Sequence, residues 1–319
     1  LTNKSYLHNK EKNLLQMEIR QYTPDMRDCW DKFVRESRNG TFLFMRDYME
    51  YHSDRFTDHS FVIFNSRGKV EALLPASIHN NGTELRSHGG LTYGGFIMGN
   101  ASSAAAPASP SAWFDELIPL LRKEGIESLI YKPVPHIYHR YPAEEDLYAL
   151  WRRGATICCR NLATVIDIRN PLHSSRLGKR AIKRRNEFGI SVRQTNDVAE
   201  FWQIIVDDRR TRHNTSPVHN QAEMQLLRDR FPNEILFFVA ETESEILAGA
   251  VIYKVGDVLH LQYAAANDLG KEQYAVDVIY NYLVFDLFKD AKWFDFGTSN
   301  EDQGLYLNEG MVRHKEEFG

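Results

Sequence analysis

From position 17 onward the apolar residues recur in two rhythms. Alternating or short continuous apolar runs mark strands in MEIRQ, FVIF, KVEALL, ILFFVAE, EILAGAVIYKV and VLHLQYAAA, and apolar residues three or four apart mark helices in MRDCWDKFV, WFDELIPLLRK and YNYLVFDLF. SRGK, HNNG and KVGD between strands supply the turn chemistry of hairpins. The first 16 residues carry neither rhythm and are expected to form an arm.

The pattern occurs twice. MEIRQYTPDMRDCWDKFV (17–34) aligns with ISVRQTNDVAEFWQIIV (190–206), which pairs Arg20 with Arg193 and Trp30 with Trp202. Downstream, 61–90 parallels 237–266 as strand, turn, strand, turn, strand, and 113–132 parallels 280–297 as helix then strand. Matches kept in one order predict two units, 17–169 and 170–319, each a mixed α/β (α+β) sheet flanked by helices. LATVIDI (162–168) is the strand expected to lead into the second.

Composition narrows the class. At 319 residues the chain is long enough for two cores, and 43% hydrophobic content supplies them. A net charge of −4 argues against a wholly basic nucleic-acid binder, so any electrostatic signal must be local. Three cysteines, none in CxxC spacing, fit a reducing cytoplasm better than a disulfide scaffold. LTNKSYLHNKEKNLLQ is too polar for a signal peptide, and no apolar run reaches membrane-spanning length.

The local signal lies in SRLGKRAIKRRNEFG (175–189). At helical spacing Arg176, Arg180, Lys183 and Arg184 share one face, which suits phosphate docking or a solvated surface. RRTRHNTSPVHN places Arg212 and His213 in a polar stretch expected to be a loop. SHGGLTYGG lets backbone approach a ligand or merely turns the chain, and makes His88 and Tyr93 acceptor-side candidates. It lacks the spacing of a phosphate-binding P-loop and of a nucleophile elbow. HIYH (136–139) has no further ligands at metal spacing and is expected to be structural.

The element order, the basic segment KRAIKRRNEFGISV, the strand end FDFGTS and the closing K-x-x-F-G of Lys315, Phe318 and Gly319 resemble the tandem GNAT-type Fem peptidyltransferases and related envelope-associated acetyltransferases. LTYGGFIM and YKPVPHIYHRYPAEEDLYAL are similar to that group's acceptor-side segments. The resemblance implies acyl or aminoacyl transfer to an amine or hydroxyl of an envelope precursor or amino sugar, by positioning and electrostatics, with no metal and no tightly bound cofactor. Its donor would be acetyl-CoA or aminoacyl-tRNA, and its partners the acceptor and tRNA. A fused repeat also lessens the need for a dimer.

One motif departs from the GNAT pattern: NDLGKEQYAVDV offers Gly270 alone where a glycine-rich pyrophosphate turn is expected. The geometry of such a unit nominates Tyr263, His260 and Tyr253 on the meander, and Asp295 with Ser299 at FDFGTS. Alternation sets Asp295 opposite Phe294 and Phe296, as a base or as an arginine's partner. Lys315 would return a cation to the acyl oxyanion or a donor phosphate, or lie on the surface near the end of the chain. The competing reading is a tandem-GNAT scaffold that binds an anionic nucleotide-sugar or RNA without chemistry.

Overall fold

The computed structural model describes residues 17–99, 109–170 and 176–318, and of Ser109, Arg176, Leu177, Arg212 and His213 only the backbone. The expected N-terminal arm and the terminal Gly319 lie outside the described residues. The chain divides between Thr156 and Ile157 into two compact units.

The first unit holds strands β1 (Glu18–Gln21), β2 (Thr57–Asp58), β3 (Phe61–Phe64), β4 (Val70–Leu74), β5 (Ser77–His79), β6 (Glu84–Arg86), β7 (Ile97–Met98) and β8 (Ser128–Ile130). Its helices are α1 (Arg27–Glu36), α2 (Arg46–Met49), α3 (Ser109–Lys123) and α4 (Glu145–Arg152). The strands form two four-stranded sheets, β1-β3-β4-β7 and β2-β5-β6-β8. Pro75, which has no N–H to give a ladder, stands between β4 and β5 and splits one long meander strand into two. Across the break Ser60 Oγ accepts the Ala76 N–H at 3.1 Å, which keeps the two halves in step.

The second unit carries β9 (Ala163–Asp167), β10 (Ser191–Thr195), β11 (Ile235–Glu241), β12 (Ile246–Val255), β13 (Val258–Ala266), β14 (Trp293–Thr298), β15 (Asn300–Glu301) and β16 (Tyr306–Leu307). Its helices are α5 (Arg176–Phe188), α6 (Trp202–His213), α7 (Gln221–Arg230), α8 (Asp268–Glu272), α9 (Ala275–Asn281) and α10 (Glu309–Glu316). One six-stranded sheet runs β10-β11-β12-β13-β14-β9. It is antiparallel except for the parallel pair β13/β14.

The repeat expected from sequence is visible in pairing. β1 joins β3 with Arg20 opposite Val62, and β10 joins β11 with Arg193 opposite Val239. Both meanders end in a parallel step, β6/β8 and β13/β14. Trp30 and Trp202 are buried on the helices after the first strands, where truncation to alanine would cost about 3–5 kcal/mol. In the second unit α9 and α5 cover one sheet face: Ala181, Val278, Ile279 and Leu283 pack with Ile252, Leu259, Phe294 and Phe318.

The ending differs from the loop-rich segment expected. TSNEDQGLYLNEG folds into the hairpin β15/β16, and the helix α10 follows, started by Asn308 Oδ1, which accepts the Met311 N–H at 3.0 Å.

Candidate functional site

The parallel ladder β13/β14 has three rungs and ends at His260 opposite Asp295. Beyond it β13 continues with β12 alone, and β14 continues with β9. The strands part at that rung. His260 Nδ1 lies 2.9 Å from Asp295 Oδ2, and Asp295 Oδ1 accepts the Gly297 N–H at 2.7 Å. An ionised carboxylate only accepts, so the imidazole proton sits on Nδ1 and Nε2 is the basic nitrogen. Gly297, at φ +70°, takes a left-handed conformation that follows the carboxylate and bulges β14 against β9.

Plain alternation would put Tyr263 on the face opposite His260. The register shifts instead: Leu261 faces Ile252 and Tyr263 faces Val251, so Gln262 is an extra residue. This bulge turns Tyr263 to the side of His260, Tyr253 and Asp295, away from the core built on Leu259 and Phe294. Trp202 of α6 meets the Tyr263 ring edge-on at 5.5 Å. The Tyr263 hydroxyl lies 2.8 Å from His219 Nδ1, and burial raises its pKa. His219 escaped the sequence reading. The available signal was the capping box of Asn220 and Glu223 directly after it, which fixes the start of α7 and so the ring before it.

Lys315 is 7% exposed, not the surface lysine that its type favours. Its Nζ donates to Gly297 O at 3.0 Å, Thr298 O at 2.9 Å and Ser299 Oγ at 2.9 Å. All three ammonium donors therefore hold the end of β14. Burial pulls the amine pKa down to about 8, and Asp295 opposes the shift. Ser299 is buried beneath this clamp.

The basic helix is partly committed to its own unit. The Arg180 guanidinium lies 4.2 Å over the Tyr274 ring and 3.8 Å from Asp277 Oδ2. Arg184 stands 5.4 Å from the Tyr274 centroid and pairs with Glu187. Lys183 and Lys179 are exposed. The backbone of Arg176 begins α5, and Arg212 and His213 end α6 instead of lying in a loop, because the helix runs on to a left-handed cap at Asn214. The side chains of these three lie outside the described residues.

Gly270 is a packing glycine. Its N–H is donated to Asn267 Oδ1 at 2.7 Å, and an added Cβ would stand 2.3 Å from Leu247 O. A pyrophosphate needs open backbone N–H groups at this turn, and the residues here do not fit one.

In the first unit His88 and Tyr93 are both buried. His88 stacks on His52 at 5.4 Å, and burial, with His52 beside it, lowers its pKa to about 3. Gly90 N–H donates to His88 Nδ1 at 3.2 Å. Tyr93 packs against Tyr138 and Phe44. Among the described residues no three His, Cys, Asp or Glu side chains are arranged to hold a metal ion, and no helix is long and apolar enough to cross a membrane.

No protein-family model and no curated protein matches this sequence. Solved structures do. FemX superposes over 94% of this chain and 94% of its own, with a TM-score of 0.64 at 11% identity. The chain has the FemX-like fold, two GNAT-like units in tandem. L-PGS from Bacillus licheniformis shares it over 88% of this chain and 77% of its own, with a TM-score of 0.56 at 15% identity. A conserved protein of unknown function from Bacteroides thetaiotaomicron does so over 95% of each chain, with a TM-score of 0.56 at 11% identity.

Proposed function

We propose that this protein transfers an acyl or aminoacyl group to an amine or hydroxyl of an envelope precursor or amino sugar, with the chemistry in the second unit. The observation that carries the reading is the pair His260 and Asp295 at the rung where β13 and β14 part. Acyl transfer needs a base for the attacking N–H or O–H and a donor for the developing oxyanion. His260 Nε2 takes the proton of the attacking amine or hydroxyl and returns it to the donor's oxygen or sulfur as the tetrahedral intermediate collapses and the donor's acyl bond breaks, while Asp295 holds Nδ1–H and steadies the imidazolium in between. Tyr263, set on the same face by the bulge and held by His219, supplies the hydrogen bond to the oxyanion. Lys315 and Ser299 act by fixing the strand end that carries Asp295 and Gly297.

The exposed Lys179 and Lys183 of α5, with Arg176 and Arg184, would meet an anionic donor. The closed turn at Gly270 weighs against acetyl-CoA and towards aminoacyl-tRNA.

Incubation with each donor and a panel of amino sugars and nucleotide-linked envelope precursors, read by mass spectrometry, tests the assignment. His260→Ala should lower transfer about 10²–10⁴-fold, the range of a lost general base, with the fold intact. Transfer unchanged by His260→Ala would refute the site. The same closed turn also suits a non-catalytic scaffold for a nucleotide-sugar or RNA. Saturable binding of either with no product from any donor would favour that scaffold.

A further inference from the structure

Helix α4 carries apolar residues on two faces. One face belongs to the core of the first unit: Ala149 is buried in it, Leu150 packs against it, and Asp146 accepts the Tyr131 hydroxyl. The other turns outward. Leu147, Tyr148 and Trp151, at i, i+1 and i+4, share a stripe that is 39%, 56% and 69% exposed. The Tyr148 and Trp151 rings lie 6.1 Å apart, which makes the stripe one contiguous patch. Trp30, Trp113 and Trp202 are all buried, as tryptophan usually is, so Trp151 stands out. An outward aromatic stripe of this kind marks a contact surface.

Charge selects the partner. Glu144, just before the first turn, and Arg152, in the last turn, bound the stripe, and both are exposed. Their neighbours are already committed, Glu145 to Arg38 and Arg153 to Asp115. Among the described residues neither Glu144 nor Arg152 has an ion-pair partner. The two lie about 12 Å apart along the helix axis. An anionic or a cationic surface would suit one end and repel the other. A second copy of the same helix, running antiparallel, suits both. A two-fold axis crossing the stripe near Tyr148 sets Glu144 of each copy against Arg152 of the other, with Trp151 beside Leu147 of the other. We infer that the chain associates with a second copy of itself through this stripe of α4. One patch meeting itself closes at two copies and does not propagate. Three apolar side chains on two turns cover less than the about 800 Å² per partner of a standard interface, so the dimer is weak, with a dissociation constant in the micromolar range.

The inference rests on the first unit alone and is independent of the proposed transfer reaction. Sedimentation velocity of the full chain from about 5 to 500 µM tests it. Sedimentation should shift from monomer to dimer across that range, and acrylamide quenching of Trp151 should fall in step. Trp151→Ser, Glu144→Arg and Arg152→Glu, all at exposed positions, should each weaken association about tenfold or more with circular dichroism unchanged. Charge reversal supplies the decisive arm. Glu144→Arg leaves two cations on the stripe and Arg152→Glu leaves two anions, so an equimolar mixture of these variants should dimerise where neither does alone. The double variant, with both ends reversed, should dimerise like the wild type. A chain that stays monomeric at 500 µM would overturn the proposal, as would association indifferent to the charge reversals or a mixture no better than its components. Co-sedimentation of a monomeric chain with phosphatidylglycerol vesicles, lost in Trp151→Ser, would also overturn it and assign the stripe to a lipid surface.

Discussion

Replacing Lys315 by methionine keeps the side-chain length and removes the amine that holds the end of β14. At neutral pH that amine makes three hydrogen bonds, to Gly297 O, Thr298 O and Ser299 Oγ. Hydrogen bonds to charged groups contribute about 1.5–3 kcal/mol each. Against them stands the burial of the charge, which lowers the pKa from 10.5 to about 8, a cost of about 3 kcal/mol at 1.36 kcal/mol per unit. The balance leaves the wild type roughly 2–6 kcal/mol more stable than the variant at pH 7. The pH dependence is the sharper readout. With the folded pKa depressed, the unfolded chain binds more protons than the native one between about pH 8 and 10.5, so this group's contribution rises with pH across that window. The gap between wild type and Lys315→Met should therefore widen by about 1.4 kcal/mol per pH unit from pH 8, and by about 3 kcal/mol in all. Urea unfolding of both proteins at pH 7, 8, 9 and 10 at constant ionic strength measures it, and the other titrating groups cancel in the difference. A gap that stays constant or narrows would refute the buried, charged clamp.

Three further outcomes follow from single contacts. Gly270→Ala drives a Cβ to 2.3 Å from Leu247 O and should cost about 1–3 kcal/mol by overpacking, read as a lowered melting temperature. Burial lowers the His88 pKa from 6.5 to about 3, so its contribution is fully present above pH 6.5. It is lost on acidification at about 1.4 kcal/mol per unit. His88→Gln should flatten that part of the stability profile. Arg46 is buried beneath Tyr22, 3.7 Å from the ring centroid, and pairs with Glu50 and Asp58. Arg46→Met should cost about 3–5 kcal/mol by leaving Asp58 without its charge partner, as measured by chemical denaturation.

Local rhythm made the fold legible, and long-range geometry hid much of the site. Arg20 and Arg193 sit in matched registers because strand alternation and turn spacing are properties of short stretches. The proline that breaks the first meander was also in plain view at Pro75. The extra residue at Gln262 was not, for no glycine or proline marks it, and alternation alone would place His260 and Tyr263 on opposite faces. The face of α5 was readable from spacing, but its aromatic and acidic partners Tyr274 and Asp277 arrive some ninety residues later. The burial of Lys315 depends on carbonyl acceptors supplied by the end of β14, which composition does not show.

The duplication also bears on why the proposed chemistry is placed in the second unit. The matched final rung of the first unit is Arg86 opposite Ile130, and the chain beyond it stays stitched. Ser87 N–H donates to Ile130 O at 3.0 Å, Lys132 N–H to Ser87 Oγ at 2.8 Å, and Gly94 N–H to Lys132 O at 2.7 Å. The place where β13 and β14 part is therefore closed by backbone and a serine in the first unit. In the second unit the same place is lined by an imidazole and a carboxylate. Removing the stitch should cost stability alone: Ser87→Ala removes the part-buried bond from Lys132 N–H, lowers the melting temperature and leaves acyl transfer untouched. His260→Ala should do the reverse. Transfer that falls with Ser87→Ala and persists with His260→Ala would place the chemistry in the first unit and invert the assignment.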